Sequence, residues 1–506
     1  MKIWLLFFSV LATVALAEDT DRGRRLLQTY TWTQIGSDID GEAEGDGSGV
    51  SVSMSTDGTR VAIGSYGSFP AGHVRVFSES GGNWTKIGDT VTGEAGGDRS
   101  GVSVSMSSDG TRVAIGASTN DGNGLDAGHV RVYAESGGTW TQIGSDIDGE
   151  RTGDQFGVRV SMSADGARVA IGAVFNDDGG NNAGKMRVYA ENGGTWTQVG
   201  GDIDGEAAGD QFGRSVSMSS DGTRVAIGAP YNDGTDTDAG HVRVYEDISG
   251  TWTQVGVDID GEAAGDQFGK SVSMSSDGTR VAIGAPSNDG AGTDAGHVRV
   301  YAESGGAWTQ VGSDIGGAAG DRSGISVSMS SDGTRVAIGA PYDGGAGHVR
   351  VYSESGGMWT LVADQIEGEA KDDQSGISVS MSSDGRVAIG AYGNDGNGIS
   401  AGHVRVFQFG VPCNPPAVSM HAGEVVGGLG ECDGIEKIPH LSTCTITCNT
   451  AEGYYVEGPA MCNQGTLIGG VKCLCTKGHP RSWHGTLACQ KRMRGIHVPG
   501  TFHDEL

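Results

Sequence analysis

Cysteine is missing from most of this 506-residue chain: all eight lie between Cys413 and Cys489. Disulfides therefore cannot organise the long stretch before them. Leucine is nearly missing there too, with only Leu125 and Leu361 between Gln28 and Gly410. So long a segment could hardly build an amphipathic-helix core on two leucines, whereas Val, Ile and Trp recur throughout, so the expected class is all-β. After Ala17 no long apolar run appears, which leaves no stretch suited to a membrane-spanning helix. Basic residues are scarce as well: 34 Lys and Arg face 63 Asp and Glu, a formal net charge of −29. That balance argues against a nucleic-acid partner, which needs clustered cations, and favours solubility, cation binding or a basic partner. No G-x-S-x-G, H-E-x-x-H or phosphate loop occurs, and Asp and Ser that repeat offer no unique triad, so no catalytic residues are assigned. Glycine is abundant, at 91 residues without a three-residue period, which excludes collagen and favours a turn-rich β protein.

What is present is repetition. Trp32, Trp84, Trp140, Trp196, Trp252, Trp308 and Trp359 are separated by 52, 56, 56, 56, 56 and 51 residues. Each opens a segment like that from Trp196 to Tyr245, and a period near fifty residues with several short strands per unit marks a β-propeller. In one unit, Ser215-Val216-Ser217-Met218-Ser219 alternates small and apolar residues as a strand does. Ser220-Asp221-Gly222-Thr223 is then a hairpin turn. Arg224 to Gly228, His241 to Tyr245 and Thr251 to Val255 complete four antiparallel strands, one propeller blade. First strands occur near Ser51, Ser103, Arg159, Ser215, Ser271, Ser326 and Ser378. The last repeat ends at Phe407-Gln408-Phe409-Gly410 without a tryptophan strand, whereas Tyr30 to Ile35 precedes any first strand. The count predicts a strand-swapped ring of seven blades, in which Tyr30 to Ile35 supplies the outer strand of the last blade and hides the open edges.

The pieces Phe212-Gly213, Phe268-Gly269, Gly228-Ala229-Pro230, Gly284-Ala285-Pro286 and Gly339-Ala340-Pro341 resemble the FG-GAP repeats of integrin α-subunit propellers. The resemblance covers residues 30–410 and implies a seven-bladed propeller. It leaves function open, because one fold hosts many functions. Propellers of that family hold calcium between the first and second strands. Here that connection is the short S-S-D-G-T hairpin, which lacks the acids, so those sites do not carry over.

Both acidic connections, between fourth and first strands and between second and third, fall on one face, making it a candidate binding surface. The loop D-I-D-G-E-A-A-G-D places carboxylates at relative positions 1, 3, 5 and 9, a spacing from which oxygens can converge on calcium. The full set occurs at Asp38, Asp40, Glu42 and Asp46; at Asp146, Asp148, Glu150 and Asp154; at Asp202, Asp204, Glu206 and Asp210; and at Asp258, Asp260, Glu262 and Asp266. These are the candidate metal ligands, and calcium is the one candidate cofactor. His73, His129, His241, His297, His348 and His403 open the third strands, with Lys185 in the equivalent place of the third repeat. One histidine per blade, spread around a ring, is expected to be structural. Asn83-Trp84-Thr85 is a glycosylation sequon at Asn83.

The ends carry addresses. Residues 1–17 read as a secretory signal peptide and 18–29 as a linker. The chain ends in His503-Asp504-Glu505-Leu506, an endoplasmic-reticulum retrieval signal on a tail spanning 476–506. Between them, residues 411–475 resemble a sushi (complement control protein) module. That resemblance implies the disulfides Cys413–Cys462 and Cys448–Cys473, with Cys432–Cys444 and Cys475–Cys489 left as extra pairs. The usual late tryptophan is replaced near Leu467-Ile468. The expected protein is non-enzymatic, resides in the endoplasmic reticulum lumen and engages a protein or glycoprotein through a propeller face, besides the retrieval receptor. Alternatives are a lumenal hydrolase or glycan-processing enzyme with a docking propeller, and a secreted adhesion protein.

Overall fold

The computed structural model describes residues 31–67 and 70–410, together with the backbone of six short strands between residues 443 and 491. The signal peptide, the linker, the side chains of all four cysteine pairs and the retrieval signal His503-Asp504-Glu505-Leu506 lie outside the described residues. The six short strands form two three-stranded antiparallel sheets.

Residues 31–410 form seven sheets, each of four antiparallel strands with a two-residue fifth strand beside them. In blade 4 these are Ser215–Met218, Arg224–Ala229, His241–Asp247 and Trp252–Gln254, with Ile259–Asp260 added. The inner strands, one per blade, are bound into a ring by their middle serines. Met218 N–H donates to Ser161 Oγ at 3.0 Å, Met274 to Ser217 at 3.0 Å, and so on around to Met54 and Ser380 at 3.0 Å. The first serine of the strand makes a second bond between blades. Ser215 Oγ donates to the carbonyl of Gly269 in the next blade at 2.8 Å. Small hydroxylic residues recur here because each one stitches two blades.

The signature glycines have an equally local cause. A Cβ on Gly228 would stand 2.0 Å from the Gly269 carbonyl oxygen, and Gly269 itself adopts φ +89°, a left-handed conformation that favours glycine. The F-G glycine of one blade and the second-strand glycine of its neighbour are thus in backbone contact, and no side chain fits between them. Core residues such as Val225, Ile227, Val242 and Phe268 are fully buried between neighbouring sheets. Each outer-strand tryptophan from Trp84 to Trp359 donates its indole N–H to a carbonyl of the preceding blade, as Trp252 does to Val199 at 2.9 Å.

The ring closes as the strand count predicts. Thr31–Gln34 pairs antiparallel with His403–Gly410, Trp32 opposite Phe409. Tyr30 lies outside the described residues. Several boundaries differ from expectation: in blade 4 the first strand stops at Met218, and the second and third run on to Ala229 and Asp247. The fourth strand of blade 4 is Trp252–Gln254, one residue shorter at each end; at its start Thr251 and Ile248 bond each other across the preceding turn. More consequentially, the D-I-D segments are not free loops: Ile203–Asp204 pairs with the start of Lys185–Asn192, Ile203 opposite Met186.

Candidate functional site

The long connections of all seven blades share one face, and the acids assigned to calcium are placed there with cationic partners. Arg131, in the third strand of blade 2, grips Asp146 through two bonds, Nε to Oδ1 at 2.9 Å and Nη2 to Oδ2 at 2.7 Å. The same arginine reaches Glu94 of the preceding connection. Arg187 holds Asp202 and Glu150, Arg243 holds Asp258 and Glu206, and Arg299 holds Asp314 and Glu262 in the same manner. Bidentate guanidinium–carboxylate pairs are the strong kind. Position 1 therefore anchors its own blade, and position 5 ties it to the next. At position 9 the carboxylate is buried and accepts backbone N–H groups: Asp46 takes those of Glu42 and Ala43, both at 2.8 Å. Asp154, Asp210 and Asp266 receive the amides of Asn176, Asn232 and Asn288. Burial pushes these three carboxyls above their usual range, with the asparagine bonds opposing. Burial, and then the neighbouring position-1 carboxylate, raises Asp148 and Asp260 at position 3. The expected carboxylates share a face; those at positions 1 and 5 of the second, third and fourth sets are bonded by arginine, whereas Asp38 and Asp40 of the first set lie with His403 close enough together to hold a cation.

The histidines are less isolated than their spacing implied. His129 Nδ1 stands 3.9 Å from Glu94 and 3.8 Å from Asp146, and is buried without a hydrogen-bond partner. His241 with Glu206 and Asp258, and His297 with Glu262 and Asp314, repeat the arrangement. A histidine between two carboxylates is a donor set that could hold a divalent cation, although arginine already bridges both carboxylates in each case. In blade 3, Lys185 takes the histidine's place and its ammonium is held by Asp178, by Asp202 at 2.7 Å and by Asp204 at 3.5 Å. Burial first, and then the neighbouring arginine, holds His73, His129, His297 and His403 below the usual imidazole value, and His241 at about 4. Asn83 begins an outer strand and is exposed.

At the centre of the same face the repeat breaks. Arg159 replaces the first serine of an inner strand, so blade 3 gives up the stitch that Ser215 and its counterparts make. Arg214 and Lys270 stand just before the inner strands of blades 4 and 5, where other blades have Val50, Val102, Val158, Ile325 and Ile377. Lys270 Nζ donates to Tyr231 Oη at 3.3 Å and lies 5.2 Å from that ring's centroid. Arg322 sits 5.6 Å from the centroid of Tyr342 and pairs with Asp294 at 3.2 Å. Arg159 donates to its neighbouring Val158 carbonyl at 2.7 Å, and the Arg214 Nε is buried without a partner. Among the described residues, no carboxylate pairs with Arg159, Arg214 or Lys270. Burial, and then Arg214, Arg159 and Arg322 in that order, pushes Lys270 down to about 8; burial and Arg214 push Arg159 down to about 9. A search for repeated chemistry passes over these residues, because their only signal is departure from the repeat.

Segments 146–189, 203–245, 257–301 and 365–407 match the FG-GAP repeat family model. No curated protein matches the chain. Among solved structures, it is similar to a putative 6-phosphogluconolactonase from Bacteroides uniformis at 12% identity, covering 68% of this chain and 89% of that one, with a TM-score of 0.47. A periplasmic gluconolactonase of Pseudomonas aeruginosa is 15% identical over 64% of this chain and 86% of its own, with a TM-score of 0.43. TolB from Acinetobacter baumannii is 14% identical over 62% and 66%, with a TM-score of 0.39. Likeness of this degree says nothing about activity. Strand topology and the matched segments agree on one identification: the chain carries FG-GAP repeats in a seven-bladed β-propeller.

Proposed function

We propose that this is a non-enzymatic binding protein of the endoplasmic reticulum lumen whose long-loop face engages a protein or glycoprotein partner. One observation carries this: three unrepeated side chains at the centre of that face, Arg159, Arg214 and Lys270, bear charge of a single sign. General acid–base catalysis needs a donor and an acceptor set against each other, whereas cations of one sign suit the holding of a charged group. The groups at His129, His241 and His297 recur from blade to blade with their carboxylates bridged by arginine, so none of these three is a singular centre; His348, hydrogen-bonded to Asp343 at 3.1 Å, departs from that pattern. Calcium at those acids would have to compete with the guanidinium groups. Leu125 and Ile399, in the second-to-third connections of two blades, are 64% and 66% exposed and give the rim apolar contact points.

Expression of the full chain tests this. The native C-terminus should keep the protein in the lumen, and Leu506→Gly should release it to the medium. The retained form should co-purify with a partner that the double variant Leu125→Asp, Ile399→Asp loses. Equal secretion of both forms would move the protein to the extracellular adhesion alternative, and a partner that tolerates the loop variant would remove the long-loop face from the interface.

A further inference from the structure

Arginine and lysine side chains drawn into a protein without counter-ions are costly, and a chain with net charge −29 has no shortage of carboxylates to neutralise them. Elsewhere on this face the third-strand arginines Arg131, Arg187, Arg243 and Arg299 each receive two acids. Lys185, the one cation in a histidine's place, is met by Asp178, an acid where other repeats have Gly122, Gly234 or Gly290. At the inner strands the opposite holds. Three successive blades each place a cation at the axis, and none of the three is given a carboxylate. The substitutions also have a measurable local cost, since Arg159 forfeits the bond by which the other first-strand serines reach the next blade. Tyr231 and Tyr342 stand against Lys270 and Arg322 and add hydroxyl groups and ring faces to the same mouth. Tyr66 and Tyr392 approach each other across the blade 7–blade 1 seam, both within 4 Å of a Cβ on Gly47.

We propose that the axial mouth on the long-loop face is an oxyanion site, formed by Arg159, Arg214 and Lys270 with Tyr231, that takes a sulfate, phosphate or carboxylate group carried by a sugar-sized ligand. The guanidinium fork of arginine matches the paired oxygens of such groups, and the lysine supplies a point charge. The unpartnered Arg214 Nε provides a donor without a present acceptor. Aromatic rings beside the cations present flat apolar faces to the body of the ligand. The proposal rests on the long-loop face being the binding face, but not on who the protein partner is.

The repeat itself supplies safe substitutions: Arg159→Ser, Arg214→Val and Lys270→Val restore what the other blades carry. Titration calorimetry on the full chain in low-chloride buffer, with inorganic sulfate and inorganic phosphate as probes, should give saturable millimolar or tighter binding. The triple variant should weaken it at least tenfold while melting no lower than the parent. Glucose 6-phosphate, glucosamine 6-sulfate and glucuronate then separate the three sources, and the tightest of them should outbind its inorganic counterpart. No saturable binding of either inorganic anion, or equal binding by the triple variant, overturns the site. A triple variant that melts well below the parent also overturns it, by making the cations structural. Partner capture can still succeed in each of these outcomes, so failure here is distinct from failure of the wider reading.

Discussion

At the scale of single residues, the chain distinguishes positions that repeat from positions that do not, and the two groups serve different ends. Serine in the inner strand, glycine at the blade contacts and arginine in the third strand repeat because each closes a bond between neighbouring blades. Lys270 does not repeat, and its surroundings disfavour its charge: Arg214, Arg159 and Arg322 act on it, and Tyr231 is its only described hydrogen-bond partner. Its folded pKa of about 8 lies below the unfolded value, so between the two the unfolded chain binds the extra proton. The folded state therefore carries the penalty of the ammonium below pH 8, and stability recovers as pH rises from there toward about 10.4. Lys270→Val should melt higher than the parent at pH 7, and the gap should narrow on going to pH 10. A gap that stays constant across that range would show that the difference comes from packing, not from the charge.

At the scale of elements, the closing strand is the most informative case. Thr31–Gln34 is separated in sequence from His403–Gly410 by nearly the whole ring, yet the two pair in register, and Trp32 packs on Phe409 with ring centroids 5.4 Å apart. Deleting residues 28–37 should leave the last blade with three strands and an exposed edge beside Phe407 and Phe409, and should lower the melting temperature and drive association through that edge. Size-exclusion chromatography and thermal melting report both effects; an unchanged monomer with an unchanged melt would mean that the closure contributes nothing. This closure was legible in the sequence because a count of strands is a topological constraint that needs no coordinates. The blade itself was legible for a similar reason, since the alternation in S-V-S-M and the Asp-Gly turn are local signals. The role of the acids was not. Asp146 lies fifteen positions from Arg131, and Glu94 belongs to the preceding repeat, so only the sheet geometry reveals that one guanidinium binds both. Read as a linear string, D-I-D-G-E looks like a cation loop; folded, half of it is a two-residue strand, and Asp146, Asp202 and Asp258 are each gripped by a third-strand arginine.

At the scale of the whole molecule, sevenfold repetition multiplies small effects. His73, His129, His241, His297 and His403 occupy the same place in five blades, and each is held below the usual imidazole value mainly by burial. The sign follows from which state binds the proton. In the unfolded chain an imidazole is protonated below about 6.5, whereas His241 in the fold resists protonation down to about 4. Within that window the unfolded state takes up more protons, so stability is complete above pH 6.5 and is lost as pH falls through the window. A proton bound fully by one state and not by the other changes stability by about 1.4 kcal/mol per pH unit, and the other four histidines, held low by the same burial, add to the decline in the same direction. The carboxylates gripped by arginine, Asp146, Asp202, Asp258 and Asp314, are held low and add their own loss only at more acid pH, so the two groups separate along the pH axis. The melting temperature should therefore hold steady from pH 8 to 6.5 and fall sharply between pH 6 and 4.5. Blade 3, whose Lys185 stays charged throughout, contributes nothing to the fall. Replacing His241 with Asn should remove one proton from the linkage and reduce the slope of melting temperature against pH, whereas Lys185→Gln should leave that slope intact. A melting temperature that stays flat down to pH 4.5 would mean that the buried histidines accept protons in place, stabilised by the carboxylates beside them.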